Sequence, residues 1–151
     1  MLGGWELSGI ARFQSGAPLT VVGNSSIGAR RADLVGDPYA PESQRFPATP
    51  LGTVVWLNPA SFAAAPEGRL GNGTRGQFRG PSLHVWDISV RKSFAVKGDV
   101  RLQIQADLFN AFNHTNLRYS VQTLNLSTGG LASLNTAAPP RNVQLGVRVT
   151  F

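Results

Sequence analysis

Few residues of this chain have both the type and the spacing that chemistry requires. His84 and His114 stand far apart, with no carboxylate or second histidine at metal-ligand spacing, so no metal site is expected. Cysteine is absent, which removes disulfides and thiolate ligands and leaves the redox compartment open. Serines are numerous, yet none sits with His and Asp in the strand-turn-helix context that would make it a nucleophile. Gly71-Asn72-Gly73-Thr74-Arg75-Gly76 fits G-x-G-x-x-G in form, but a dinucleotide fingerprint needs a strand before it and a helix after it. Here Ala63-Ala64-Ala65-Pro66-Glu67-Gly68 precedes and Gly80-Pro81 follows, so the segment reads as a flexible loop. No catalytic, cofactor-binding or metal-binding residue is assigned, no cofactor is expected, and the chain is not expected to be an enzyme.

One set of charged residues is ordered, and its order becomes visible only through the elements that carry it. Alternation of period two recurs four times. From Trp5 to Gln14 one face holds Trp5, Leu7, Gly9, Ala11 and Phe13, and the other Glu6, Ser8, Ile10, Arg12 and Gln14. From His84 to Phe94 the apolar set is Trp86, Ile88, Val90 and Phe94, with Lys92 as the exception, opposed by Val85, Asp87, Ser89, Arg91 and Ser93. From Val100 to Phe109, Val100, Leu102, Ile104, Ala106 and Leu108 oppose Arg101, Gln103, Gln105 and Asp107. The last run sets Val143, Leu145, Val147, Val149 and Phe151 against Asn142, Gln144, Gly146, Arg148 and Thr150. Arg12, Asp87, Arg91, Arg101, Asp107 and Arg148 thereby share the polar side. In a barrel they would point to the lumen, to pair across strands, steady a plug or line a ligand path; mutual pairing and solvation are the simpler role.

Composition supports an all-β class. Only 15% of residues are charged, against about 25% in ordinary soluble domains, and no apolar run approaches the roughly 18 residues of a membrane-spanning helix. Glycine and proline are frequent, and Val, Ile, Thr and Phe gather in short alternating runs. The net charge is +6, but the arginines are scattered and only Arg30 and Arg31 adjoin, so no nucleic-acid stripe forms. Nothing before Trp5 has the basic and apolar regions of a secretory signal, and a membrane-crossing protein is expected to begin further upstream.

The connections are unequal. Ala95-Val96-Lys97-Gly98-Asp99 makes a tight turn, whereas residues 15–82, with eight of the ten prolines, and residues 113–140 read as long loops, with short hairpins at Leu19 to Val22 or Arg118 to Leu124. Short turns at one end and long loops at the other are the habit of outer-membrane barrels, in which the long loops are extracellular.

A secreted β-sandwich, for instance a carbohydrate-binding module using Trp56 or Tyr39, produces the same alternation. The aromatics favour the barrel. Trp5 and Phe13, like Trp86 and Phe94, are eight residues apart on the apolar face. Eight residues at about 3.3 Å, tilted roughly 40°, rise about 20 Å, close to the ~25 Å apolar band between aromatic girdles. With the turn at 96–99 periplasmic, Trp5, Phe94 and Phe151 fall in one belt and Phe13, Trp86 and Phe112 in the other. Lys92 then lies near the periplasmic belt, where it can snorkel to water.

The segments Trp86-Asp87-Ile88-Ser89-Val90-Arg91-Lys92-Ser93-Phe94 and Val100 through Asn116 resemble the closing strands of Oar-like TonB-dependent receptors, the subgroup carrying a carboxypeptidase-regulatory-like domain. Phe109-Asn110-Ala111-Phe112-Asn113-His114 is the most specific part. Leu2-Gly3-Gly4-Trp5-Glu6-Leu7-Ser8-Gly9-Ile10, Gln14-Ser15-Gly16-Ala17-Pro18, Asn58-Pro59-Ala60-Ser61-Phe62 and Gly146-Val147-Arg148-Val149-Thr150-Phe151 match the same family in order. The resemblance implies a C-terminal piece, spanning residues 1–151, of a barrel that imports a scarce ligand. It also implies partners: outer-membrane lipid, further barrel strands and a plug outside this sequence, the TonB complex, and the barrel-assembly machinery, which would read Val147, Val149 and Phe151 as its signal. The transported ligand is not legible. The four N-x-S/T triplets, at Asn24, Asn72, Asn113 and Asn125, carry no weight in such a bacterial protein.

Overall fold

The computed structural model describes residues 3–25, 28–46, 54–132 and 134–151. Leu2 of the family-like opening segment, Ser26 of the first triplet, and residues 26–27, 47–53 and 133 of the expected loops lie outside the described residues. The chain divides into two compact units, one of Met1–Gln14, Leu83–Asn116 and Ala137–Phe151, the other of Ser15–Ser82 and Leu117–Thr136.

The first unit is one antiparallel sheet of β1 (Trp5–Gln14), β7 (Leu83–Lys97), β8 (Val100–Phe109) and β12 (Asn142–Thr150), in that order across the sheet. The four periodic runs are these four strands. Pairing from Trp5↔Lys92 to Gln14↔Leu83, and from Asn142↔Phe109 to Thr150↔Arg101, runs without a break. Between β7 and β8 the register shifts between Ala95 and Lys97, leaving Val96 as the extra residue of a bulge. The turn is shorter than the sequence suggests, because both strands continue to the Lys97↔Val100 pair and only Gly98 and Asp99 remain as loop. Gly98 takes φ +59° at the first loop position, the sign that a two-residue hairpin of this kind needs and that a side chain resists. Among the described residues the outer edges of β1 and β12 have no strand partner, so the sheet is open.

The second unit contains β2 (Pro18–Ser25), β3 (Gly28–Arg31), β4 (Asp33–Leu34), β5 (Phe62–Ala63), β6 (Phe78–Arg79), β9 (Leu117–Tyr119), β10 (Thr123–Asn125) and β11 (Leu134–Thr136). β2 pairs antiparallel with β3 and β6 and parallel with β10; β9 pairs with β11, and β4 with β5. Neither suggested hairpin forms as such: Leu19 to Val22 is the middle of β2, and Arg118 to Leu124 holds two strands that pair elsewhere. These segments own the hydrophobic core of the chain. Leu19, Val21, Trp56, Leu57, Phe62, Phe78, Tyr119, Leu124 and Leu131 are buried together, each worth about 1.5–3 kcal/mol of transfer energy for a large apolar side chain. Tyr119 donates its hydroxyl to the Leu131 carbonyl at 2.9 Å, and burial pushes its phenol up to about 12.

Candidate functional site

Residues paired across antiparallel strands lie on the same face of the sheet, so the registers decide which side chains share a surface. Leu7, Val90, Ala106 and Leu145 form one row across all four strands, and Gly9, Ile88, Leu108 and Val143 the next. Towards the turn the rows are Trp5, Lys92, Ile104 and Val147, then Phe94, Leu102 and Val149. One apolar face results, interrupted by Lys92, and it is uncovered: Leu7 is 75% exposed, Leu145 79% and Val147 70%. A sandwich would bury these side chains under a second sheet.

Both ends of this face are aromatic. At one, the Lys92 Nζ lies 4.8 Å from the Trp5 ring centroid and 5.4 Å from that of Phe94, and it donates to the Gly3 carbonyl at 2.6 Å. At the other, Trp86 meets Phe13 edge-on at 5.3 Å and Phe112 at 5.8 Å. His84 packs on Phe13 at 5.6 Å and stacks on His114 at 5.4 Å. The two histidines, read as remote from each other, are thus neighbours in space, brought together by the turn that follows β8. Among the described residues no group of three or more His, Cys, Asp or Glu could hold a metal ion. Phe151 follows β12 and is 95% exposed.

The opposite face carries the six charged positions in their expected register. Glu6, Arg91, Gln105 and Gly146 make one row, Ser93, Gln103 and Arg148 the next, and Ser89, Asp107 and Gln144 the row on the other side. Cross-strand pairing of charge is sparse. Arg91 meets Glu6 at 3.3 Å, an exposed pair of the kind worth about 0.2–1 kcal/mol. Asp107 accepts from the Gln105 amide at 2.6 Å, and Asp87 accepts from the Asn110 backbone N–H at 2.9 Å. Arg12, Arg101 and Arg148 have no ion pair among the described residues. Two cavities of about 410 Å³ open on this face, one lined by Arg91, Gln103, Gln105, Gly146 and Arg148, the other by Arg12, Asp87, Asn110 and Arg141 among others.

Asparagines supply the structure that charge reading missed. Asn110 and Asn113 adopt φ +48° and +52°, left-handed values that asparagine tolerates better than most residues. The buried Asn110 amide donates to the carbonyls of His114 and Pro139 at 3.0 Å and accepts from the His114 N–H at 3.1 Å. Asn113 accepts from the Arg141 N–H, and the fully buried Asn116 bonds both the N–H and the carbonyl of His84. The Phe109-to-His114 motif is therefore a clasp that ends β8 and ties in the segment leading to β12. Its signal in the sequence is two asparagines flanking a turn.

In the second unit Asp33 and Arg69 form a two-pronged ion pair, and Asp33 also accepts from the Asn72 N–H at 2.9 Å. The Arg69 side chain, followed by the Asn72 amide, holds the Asp33 carboxyl below its ordinary value. Asn72 bonds both the N–H and the carbonyl of Leu34, Thr74 N–H donates to Gln77, and Gly76 N–H donates to Thr20. The segment from Gly71 to Gly76, read as flexible, is tied down along its length, and β6 rather than a helix follows it. Trp56 belongs to the core, its Nε1 donating to the Arg79 carbonyl at 2.8 Å, so it is not an exposed binding aromatic; Tyr39 accepts from the Arg79 N–H at 3.0 Å.

A family model described as outer membrane beta barrel domain matches residues 1–144. Neither the comparison with curated proteins nor that with solved structures returned a match.

Proposed function

The chain belongs to the outer membrane beta barrel domain family, whose place is the outer membrane of Gram-negative-type bacteria, and from that premise we propose that it forms closing strands of a TonB-dependent receptor that imports a scarce ligand. The observation that carries the membrane part of this reading is the register-locked apolar face, uncovered across four strands and bounded by aromatics at both ends. Leaving it in water forgoes about 1.5–3 kcal/mol for each large side chain, which lipid contact restores. The finer assignment is supported by the family-like strings, above all the asparagine clasp after β8.

In this reading Trp5, Phe94 and Phe151 form the periplasmic belt, and Phe13, Trp86 and Phe112 the outer one. Residues 15–82 and 113–140 are extracellular, and Arg12, Asp87, Arg91, Arg101, Asp107 and Arg148 face the lumen. Val147, Val149 and Phe151 serve as the assembly signal. The protein is a transporter and not an enzyme. Two strains test it, one lacking the gene that carries this chain and one lacking the TonB complex, grown with single limiting nutrients. Deficits on the same nutrient are expected; uptake that survives loss of TonB overturns the assignment.

A further inference from the structure

Resting on the barrel reading, we propose that the cavity between Arg91 and Arg148 is a binding site for a carboxylate-bearing anion in the lumen wall. Four donors converge there. The rows Glu6–Arg91–Gln105–Gly146 and Ser93–Gln103–Arg148 lie next to each other on the polar face, and their members line the cavity of about 410 Å³. Gly146 has no side chain at the point where the first row reaches β12, and this leaves the space open.

The charges in the cavity are not balanced internally. Arg91 gives Nη1 to Glu6, and its Nη2 has no hydrogen-bond partner among the described residues. Arg148 has no ion pair among the described residues. A cation would meet two guanidinium groups, and an apolar solute would leave the Arg91 Nη2 and the Arg148 guanidinium without a partner. A carboxylate satisfies both, since its two oxygens match the fork of a guanidinium. Gln103 and Gln105 already donate to Ser93 and Asp107, and each carboxamide keeps a second N–H for a ligand. The carboxylate can come from a free solute or from an acidic side chain of a segment seated in the lumen, and the chemistry is shared.

Calorimetric titration of the detergent-solubilised receptor that carries this chain, at ionic strength near physiological, tests this with citrate, N-acetylglutamate amide and choline. Saturable binding of the two carboxylates and none of choline are expected. Arg91→Gln and Arg148→Gln should each weaken citrate at least ten-fold. Gly146→Leu should do the same without changing charge, because a Cβ at this position meets only the Gln105 Cβ at 4.0 Å and the backbone accepts it. Arg118→Gln, which removes a positive charge in the second unit, should leave affinity unchanged. Citrate binding well above N-acetylglutamate amide supports the site with a free polyanion as its ligand; equal binding supports it with a single carboxylate such as a protein side chain. Absence of saturable binding, or an equal loss in Arg118→Gln, overturns the proposal. Failure of the barrel reading registers separately, as failure of the chain to enter lipid vesicles.

Discussion

The Lys92 ammonium lies 4.8 Å from the centre of the Trp5 ring, its direct partner across the β1–β7 pair. Replacing Lys92 with Leu measures the depth of this position. At a membrane interface a lysine costs about 0–1 kcal/mol, whereas at the bilayer midplane it costs about 2–4. The cation–π contacts and the bond to Gly3 return about 1 kcal/mol or more when desolvated. Lys92→Leu in lipid-reconstituted protein should therefore lower stability in denaturant titration by about 1 kcal/mol. A gain of about 2 kcal/mol or more would place Lys92 deep in the bilayer and break the girdle assignment.

Tryptophan quenching locates the belts directly. Trp5 and Trp86 sit at opposite ends of the apolar face and are 62% and 40% exposed, while Trp56 is buried in the core of the second unit. In vesicles of brominated lipid, variants retaining only Trp5 or only Trp86 should be quenched most by bromines near the carbonyl region. The Trp56-only variant should be unaffected. Strong quenching of Trp56, or none of Trp5, contradicts the proposed topology.

Asn110 carries three side-chain hydrogen bonds from a left-handed backbone position. Asn110→Ala loses the bonds, leaves the Pro139 and His114 groups unpaired and strains the backbone, for a cost of about 2–4 kcal/mol. Asn110→Gly relieves the strain alone and should recover about 1 kcal/mol of that loss in the same denaturant titration. An alanine variant as stable as the parent would show that the clasp is ornamental.

The strands were legible because each divides an apolar from a polar environment and so writes a period of two. β1 and β8 keep the bounds that alternation gives them. β7 runs past its periodic stretch because the bulge at Val96 interrupts the alternation while pairing resumes at Lys97. The second unit was not legible. Its strands are mostly two to four residues long, too short to show a period, and β10 finds its partner β2 from the far end of the chain. The six charged positions were readable as a face, but the cavity beside Gly146 depends on register between strands that no local pattern supplies. The stacking of His84 on His114 likewise depends on the asparagine turn between them.

Acid should loosen the second unit. Asp33 is held below its ordinary value by Arg69 and Asn72, so the folded state binds its proton less readily than the unfolded state does. Its contribution is present above the unfolded value of about 3.9 and is lost as pH falls through the lower folded value. Limited proteolysis of the reconstituted protein between pH 5 and pH 2 should show faster cutting within residues 15–82 below about pH 4. Asp33→Asn should cut faster at neutral pH and change less on acidification. An unaltered acid profile in that variant removes Asp33 as the cause.

The open sheet predicts how the 151 residues behave without a membrane. Leu7, Leu145, Val147 and Val149 present a contiguous exposed apolar face, and such a face in water promotes association. The outer edges of β1 and β12 offer unpaired N–H and carbonyl groups, which template pairing with other chains. Lipid or detergent covers the face but not the edges, and additional strands cover the edges but not the face. The buried apolar side chains of the second unit form a core of their own within residues 15–82 and 117–136. Expression of the chain without detergent should give insoluble material that detergent only partly recovers. A detergent-free soluble monomer with one sharp melting transition would mean that the apolar face is covered from within, and the barrel reading would fall.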